Sequence, residues 1–208
     1  MKTRRGDKEL AVVKQLRSAL SGPAAKDLSR SRARLSKWFV EATPLIQWDE
    51  MKSPLGPLFA AITERGLCAL DVGRGETDFL EKFDPRARLE KNPKAVQQVI
   101  AQLREYFTGK RCHFDLPVDL AALTPFQQSV LDIACRIAPG QVWTYHRVAK
   151  ELGRPECSRP VGQALARNPV PIVVPCHRVI ASDGSLGGYS GGSGLQAKLW
   201  LLRLEGAM

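Results

Sequence analysis

A cysteine and a histidine stand side by side at Cys176 and His177, within the stretch NPVPIVVPCHRVIASDG of residues 168–184. The apolar run IVV predicts a short buried strand that Pro175 ends, so both side chains lie in a turn where they can face a cavity. A thiol is a strong nucleophile only as the thiolate, which needs a neighbouring base or a positive field. Histidine supplies such a base, and a carboxylate such as Glu205 would orient its ring. On these residues alone, an inert buried cysteine is the commoner alternative.

Helices with clear capping residues precede this turn and must position it. Thr124 and Gln127 form a capping box around Pro125, which predicts a helix start, and the pair Pro139 and Gly140 predicts the end. The apolar face of this helix consists of Phe126, Val130, Ala134 and Ile137. We expect one packed helix from this pattern.

Two shorter helices follow, with the spacing of a helix-turn-helix. The first is predicted over residues 145–152 after an N-cap threonine, and the second from about 158 to 168. Arg154, Arg159 and Arg167 cluster on the turn and the second helix. Such a pair can bind DNA, but many helical pairs bind nothing, and exposed arginines are often only solvated. The pattern alone leaves both interpretations open.

The preceding segment is predicted to be a small α/β domain with a short antiparallel sheet. LFAAIT and LCALDV, separated by ERG, predict a hairpin whose turn contains Gly66. Asn92 and Pro93 predict the start of a helix that Gly109 ends. Its apolar stripe, which indicates core packing, consists of Val96, Val99, Ile100, Leu103, Tyr106 and Phe107. The stretch RCHFDLPVDLAAL has no clear period and predicts a connection to a mainly helical second domain, so the fold class is α+β.

The 208 residues are 44% hydrophobic, which is enough for one or two domains with a real core. No apolar run of about 18 residues is present to span a bilayer, and the N-terminal residues lack the apolar segment of a secretory signal. We therefore expect no membrane partner and an intracellular location, in the cytoplasm or nucleoid, or in the nucleus of a eukaryote.

The five cysteines are widely spaced and include no C-x-x-C pair, which argues against a disulfide framework and against a zinc ribbon. Cys112 and His113 are two potential metal ligands, but no second pair lies at the usual spacing. We predict no metal and no other cofactor.

Residues 1–45 are interpreted as a basic N-terminal extension. The first 40 residues hold 11 Lys/Arg against 3 Asp/Glu and so carry most of the formal net charge of +10. Such a segment either binds phosphates with release of counterions or stays a solvated tail, and charge alone favours neither. Helical spacing of four apolar residues leaves a docked helix as another alternative, and RSRARLSK weakly matches a transit peptide. These residues are Leu10, Val13, Leu16 and Leu20.

The region around Cys176 resembles the active site of the O6-alkylguanine-DNA alkyltransferases, the methylated-DNA-protein-cysteine S-methyltransferases. The resemblance rests on NPVPIVVPCHRV, GGYSGG and KLWLLRLEG, together with TPFQQSVLDIACRIAPGQVWTYHRVA and RPVGQALARNPVP. It covers residues 120–206 closely and 54–118 more loosely. It implies an N-terminal α/β domain at 46–118 and a DNA-binding and alkyl-acceptor domain at 119–208.

The resemblance implies single-use DNA repair. An alkyl group would leave O6 of a guanine, or alternatively O4 of a thymine, in double-stranded DNA and stay on Cys176. His177 would take the thiol proton through a water, and Glu205 would orient the imidazole. Tyr145 would donate toward the purine ring, and Asn168 would fix the turn that carries the thiol. The protein would act as a monomer.

The same resemblance assigns residues to the DNA and to the flipped base. Those expected to contact DNA are Arg159, Gly162, Ala164 and Arg167. Those expected to line the base pocket are Val174, Tyr189 and Ser190. Arg159 corresponds to the family's arginine finger, which fills the place of the flipped base, while the small residues would let the second motif helix approach the minor groove.

One departure from the family pattern is Pro160, which follows the finger arginine where a residue with an N–H is expected, although proline is tolerated in a first helical turn. Two other function classes stay open. A lesion-binding protein would keep the fold but lack the acceptor cysteine, and Cys176 argues against it. A transcription regulator would use the helix-turn-helix, with Cys176 as a sensor.

Overall fold

The structure, a computed structural model, describes residues 44–208, and the predictions made for residues 1–43 lie outside this range. The chain first forms a sheet of four strands: β1 (Leu45–Ser53), β2 (Gly56–Thr63), β3 (Gly66–Val72) and β4 (Arg88–Lys91). Their order is β3-β2-β1-β4; β4 pairs with β1 in parallel, and the other pairs are antiparallel. The sheet and the helical part that follows confirm the predicted α+β class.

The hairpin of β2 and β3 has the predicted position, but Gly66 is not in its turn as predicted: Thr63 pairs with Gly66, so the turn is only two residues long and Gly66 is the first residue of β3. Gly66 has a φ of +129°, and a Cβ there would lie 2.2 Å from the carbonyl oxygen of Pro117. Only glycine tolerates both conditions. This close approach lets the Leu67 N–H donate to Pro117 O at 2.8 Å. The connection between the sheet and the later helices is therefore tied to β3.

Helix α2 (Pro93–Phe107) packs on β1 and β2. The Asn92 side chain caps it by accepting a hydrogen bond of 3.3 Å from the Ala95 N–H, as the sequence predicts. Five of the six residues of its predicted stripe are buried, with Val96 and Leu103 completely inaccessible, whereas Phe107 at the end of the helix is partly buried. The short helix α1 (Glu76–Leu80) contributes Phe79 to a separate aromatic cluster in which it stacks on Phe59 at 5.4 Å.

The second half of the described chain is mainly helical. It contains α3 (Pro125–Cys135), α4 (Tyr145–Glu151), α5 (Ser158–Ala166) and α6 (Leu195–Leu204), with the short parallel strands β5 (Trp143–Thr144) and β6 (Val179–Ile180). The capping box of Thr124 and Gln127 is present at the start of α3. The Thr144 hydroxyl accepts from the Arg147 N–H at 3.1 Å and so caps α4. These two caps confirm the predicted starts of α3 and α4.

Helices α4 and α5 contact each other and are joined through a 3₁₀ turn at Pro155–Cys157. Pro160 is the third residue of α5, within the first turn, where its missing N–H breaks no intrahelical hydrogen bond. The two predicted helices therefore exist in the expected order and end one and two residues earlier than predicted, while their use as a DNA-binding helix-turn-helix stays a prediction.

One hydrophobic core joins the sheet to the helices. Leu58 of β2 and Leu103 of α2 belong to the same buried cluster as Leu131 of α3, Val161 of α5 and Leu201 of α6, and all five are inaccessible to solvent. The helical part therefore rests on the sheet as one packed unit within residues 44–208. None of the helices within residues 44–208 has the length and hydrophobicity that a membrane span requires.

Candidate active site

The turn that carries Cys176 is held by the side chain of Asn168. The amide nitrogen of Asn168 donates to Val174 O at 2.8 Å and to Cys176 Sγ at 3.2 Å, and its oxygen accepts from the Val170 N–H at 3.0 Å. Ile172, between these contacts, has a φ of +76°. This left-handed conformation is rare for a β-branched residue, and it follows that the surrounding hydrogen bonds impose the conformation.

The predicted strand over IVV is wrong. Pro171 and Val174 form an isolated bridge across a tight turn, because the chain reverses at Ile172 instead of staying extended. Residues Cys176–Arg178 then form a single 3₁₀ turn. Cys176 therefore lies in a turn as predicted, although no strand precedes it, and it lines the largest described cavity while being only 6% exposed.

The thiol of Cys176 is protonated at neutral pH in this environment. Burial raises the pKa of Cys176 above its ordinary value, and the hydrogen bond from Asn168 and the charge of Lys198 offset only part of that rise. A thiol with a raised pKa reacts slowly with adventitious electrophiles. Its proton must therefore be removed at the time of reaction, which requires a base.

His177 is a neutral imidazole with one nitrogen available as that base. Burial lowers the pKa of His177 below its ordinary value, in spite of the neighbouring carboxylate of Glu205. Its Nε2 lies 3.0 Å from Glu205 Oε1, whereas Nδ1 is buried without a hydrogen-bond partner among residues 44–208. Since a carboxylate accepts but does not donate, we assign the proton to Nε2, which leaves Nδ1 as the basic nitrogen.

Glu205 is a buried carboxylate fixed by several donors. Its side chain is only 3% exposed. Arg178 donates to both of its oxygens at 2.8 Å through Nε and Nη2, and the hydroxyl of Tyr106 donates to Oε1 at 2.7 Å. Burial alone would raise the pKa of Glu205, but the hydrogen bonds from His177 and Arg178 lower it to about 2. Glu205 is therefore ionised and oriented toward the imidazole.

The cavity beside the thiol has a volume of about 800 Å³ and lies between α4, α5 and the loop of residues 181–190. This volume is within the range of about 300 to 1,000 Å³ that is usual for small-molecule sites. The sequence-predicted residues that line it are Tyr145, Arg159, Gly162, Cys176, Tyr189 and Ser190. A thiol, two phenols and an arginine therefore share one mostly apolar cavity.

Two family models match the chain. The model described as 6-O-methylguanine DNA methyltransferase, DNA binding domain, matches residues 125–207. The model described as 6-O-methylguanine DNA methyltransferase, ribonuclease-like domain, matches residues 46–120. The chain belongs to the 6-O-methylguanine DNA methyltransferase family.

Individual relatives agree with the family models. The methylated-DNA–protein-cysteine methyltransferase of Methanosarcina barkeri is 41% identical over 158 residues, which are 76% of this chain and 96% of that protein. Its counterpart in Shigella flexneri is 38% identical over 166 residues, 76% of this chain and 94% of that protein. Among solved structures, Mycobacterium tuberculosis OGT in complex with DNA superposes with a TM-score of 0.68 at 35% identity, covering 77% of this chain and 93% of that one.

Tyr145 forms part of the wall of the cavity. It is the first residue of α4, and a Cβ at Gly187 would lie 2.7 Å from its hydroxyl. A Cβ at Gly162 would lie 3.7 Å from its ring, so this small residue of α5 faces the tyrosine. Burial raises the pKa of Tyr145, although a backbone hydrogen bond from Gly188 opposes the rise. The phenol therefore stays protonated and can donate.

Arg159 is exposed on α5 and lines the mouth of the cavity, whereas Arg167 follows the end of α5 and lines separate grooves. Two predicted positions need correction. Ala164 is 2% exposed, since its side chain belongs to the core that α5 shares with α3, so it does not form the outer surface of α5. Val174 is also 2% exposed and is absent from the described cavity lining, because the turn directs its side chain into the core.

Sequence reasoning missed two charged residues at the site, Arg178 and Lys198. Arg178 pairs with Glu205 and also donates to Ile137 O at 2.6 Å. Lys198 is inaccessible, and its Nζ donates to Val179 O at 2.6 Å and to Leu186 O. Burial lowers the pKa of Lys198 to about 8. The sequence does indicate that Lys198 is buried, because this lysine falls on the apolar face of α6, next to Ala197 and three residues before Leu201.

Proposed function

We propose that this chain repairs DNA by moving an alkyl group from O6 of guanine in duplex DNA to Sγ of Cys176. The observation that carries the proposal is the buried thiol of Cys176 beside a neutral His177, which in turn contacts the ionised Glu205 at 3.0 Å. A thiol with a base and an orienting carboxylate is the arrangement that nucleophilic displacement requires. The family and its relatives, which are named for methyl transfer from DNA to a protein cysteine, support the same reaction.

In the proposed reaction His177 takes the thiol proton through a bridging water as Sγ approaches the alkyl carbon. The S–C bond forms while the C–O6 bond breaks, and the electron pair of that bond goes to the purine. The proton taken from the thiol is passed to the purine to give guanine, which leaves His177 neutral and the cysteine as a thioether. A hydrogen bond from the Tyr145 phenol offsets negative charge on the leaving purine. Asn168 holds the sulfur in place through its contact of 3.2 Å.

The target base reaches the cavity by flipping out of the duplex. Arg159 stands at the cavity mouth on α5, where its side chain takes the place of the flipped base while α5 lies in the minor groove. Gly162 gives room beside Tyr145, and Tyr189 with Ser190 contacts the flipped base. Flipping costs roughly a few kcal/mol, and less for a damaged base that pairs poorly. The lesion is thereby favoured over normal guanine.

Each molecule reacts once in this scheme. Regeneration would require displacement of the thiolate from a thioether, and no group that lines the cavity within residues 44–208 is suited to that chemistry. One chain carries all the residues assigned to the site, which supports action as a monomer.

The test is transfer of label from duplex DNA containing one [³H-methyl]-O6-methylguanine. The wild-type protein and Cys135→Ser, a matched control on a surface cysteine of α3, should both retain labelled methyl. Cys176→Ser should bind the duplex and retain none. Equal labelling of Cys176→Ser and wild type would refute the proposal.

A further inference from the structure

Tyr106 connects the sheet-containing part of the chain to the candidate active site. It lies near the end of α2, is 1% exposed, and its hydroxyl donates to Glu205 Oε1 at 2.7 Å. Its ring packs against Phe114 with 5.3 Å between ring centroids. The apolar stripe of α2 explains the buried ring, but phenylalanine would fill that place equally well. The hydroxyl needs a separate explanation.

The oxygen that receives this hydroxyl is the one that faces the histidine. Arg178 pairs with both oxygens of Glu205 and so does not distinguish them. Tyr106 donates only to Oε1, which is also the oxygen 3.0 Å from His177 Nε2. A hydrogen bond to a buried carboxylate is stronger than one between neutral groups and fixes the position of the oxygen.

Two backbone contacts from β3 reach the same site from another side. The Leu70 N–H donates to Pro169 O at 2.8 Å, next to Asn168, and Val72 O accepts from the Gly192 N–H at 2.9 Å, in the loop after Ser190. The sheet-containing part of the chain therefore contacts the turn and the loop that bear site residues, as well as Glu205. Of these three contacts, the hydrogen bond from Tyr106 to Glu205 is the one that involves side chains and a charged group.

We infer that Tyr106 is a positioning residue for alkyl transfer: its hydroxyl holds Glu205 Oε1 against His177 and so orients the base that deprotonates Cys176. The inference rests on the proposed function, since it assigns a role within that reaction. It also gives the sheet-containing part of the chain a direct part in the chemistry, although that part contributes no group to the thiol itself.

Tyr106→Phe removes one oxygen and keeps the ring, so the change is confined to the hydrogen bond. General-base assistance is worth about 10²- to 10⁴-fold in rate, and loss of its orientation should cost part of this, roughly tenfold. We expect the maximal single-turnover rate of methyl transfer from an O6-methylguanine duplex to fall about tenfold. The Kd for the same duplex should be unchanged, because Tyr106 lies in the interior.

A double-mutant cycle with Glu205→Gln tests whether Tyr106 acts through Glu205. If it does, Tyr106→Phe should cause little further loss of rate in the Glu205→Gln background, since the group that it positions is already altered. Phe114→Leu is the matched control: it disturbs packing against the same ring but leaves the hydroxyl. It should lower the urea midpoint of unfolding and leave the transfer rate unchanged.

A wild-type rate for Tyr106→Phe would overturn the inference, and so would losses that multiply fully in the double variant. A Tyr106→Phe protein that is slow only because its duplex Kd has risen would also overturn it. These outcomes are distinct from failure of the proposed function, in which the wild-type protein itself would transfer no methyl group to Cys176.

Discussion

Replacement of Asn168 with alanine should destabilise the turn that carries the Cys176 thiol. The Val170 N–H, which is buried, would lose the Asn168 oxygen at 3.0 Å as its partner, at a cost of about 1 to 3 kcal/mol. Val174 O would lose the amide donor but keep the Cys176 N–H at 2.8 Å, so this second loss is worth about 1 kcal/mol. We therefore expect Asn168→Ala to lower the free energy of unfolding by about 2 to 4 kcal/mol.

The same change should make Cys176 less acidic. The amide of Asn168 donates to Sγ at 3.2 Å and is the main hydrogen bond that lowers the thiol pKa against the effect of burial. Asn168→Asp is the informative companion, because it keeps an acceptor for the Val170 N–H but replaces the donor at the sulfur with a negative charge. It should raise the thiol pKa further than alanine does.

Urea unfolding gives the midpoint and slope for each variant, and the rate of Cys176 alkylation by iodoacetamide as a function of pH, resolved by peptide mass, gives the thiol pKa. If Asn168→Ala unfolds with the midpoint and slope of the wild type, the Asn168 side chain does not hold the turn. If Asn168→Asp has an unchanged thiol pKa, its contact with Sγ has no electrostatic effect.

Three further predictions concern Glu205, Arg159 and the basic extension. Because the folded pKa of Glu205 is about 2 against an ordinary 4.5, its stabilising contribution should be complete above about pH 4.5 and be lost as the pH falls to about 2, a change of about 3 kcal/mol in unfolding free energy. Arg159→Ala should slow transfer from duplex DNA by roughly tenfold or more, and transfer from free O6-benzylguanine far less, because the free base needs no flipping. Deletion of residues 1–40 should weaken duplex binding and flatten its salt dependence, each lost phosphate contact reducing the log-log slope by about 0.9.

Each of these three predictions can be refuted by a specific result. Glu205→Gln should lack this part of the acid dependence in urea titrations, so an acid-unfolding profile identical to that of the wild type would refute the first. Equal slowing of Arg159→Ala on duplex and on free base would show that the arginine does not act on flipping. A truncated protein with the wild-type salt slope would leave the basic extension without a role in phosphate binding, and a docked helix or targeting segment would be the better account.

Local features of the fold were predictable because their physical cause is local. Helix caps are an example: at Asn92, Thr124 and Thr144, the capping side chain accepts a hydrogen bond from a backbone N–H only three residues later. The sequence analysis missed strands β1 and β4. Strand β4 is only four residues long, and its partner β1 lies far from it in the sequence. Single-strand patterns carry little information about such pairing.

The candidate site was predictable where motif residues line the cavity and not where the backbone departs from a regular pattern. The run IVV has strand composition, yet Ile172 adopts a φ of +76° because the contacts of Asn168 close the turn around it. That reversal also directs Val174 into the core. Arg178 and Tyr106 could not be assigned from spacing, since their partner Glu205 is 27 and 99 residues away along the chain.

The most direct test of the central claim is the intact mass of the protein after incubation with an excess of O6-methylguanine duplex, followed by peptide mapping. The mass should rise by one methyl group and then stay constant however long the incubation, and the methyl group should be found on Cys176. Repair of more than one lesion per protein molecule, or a methyl group on any of the other cysteines, would contradict the account.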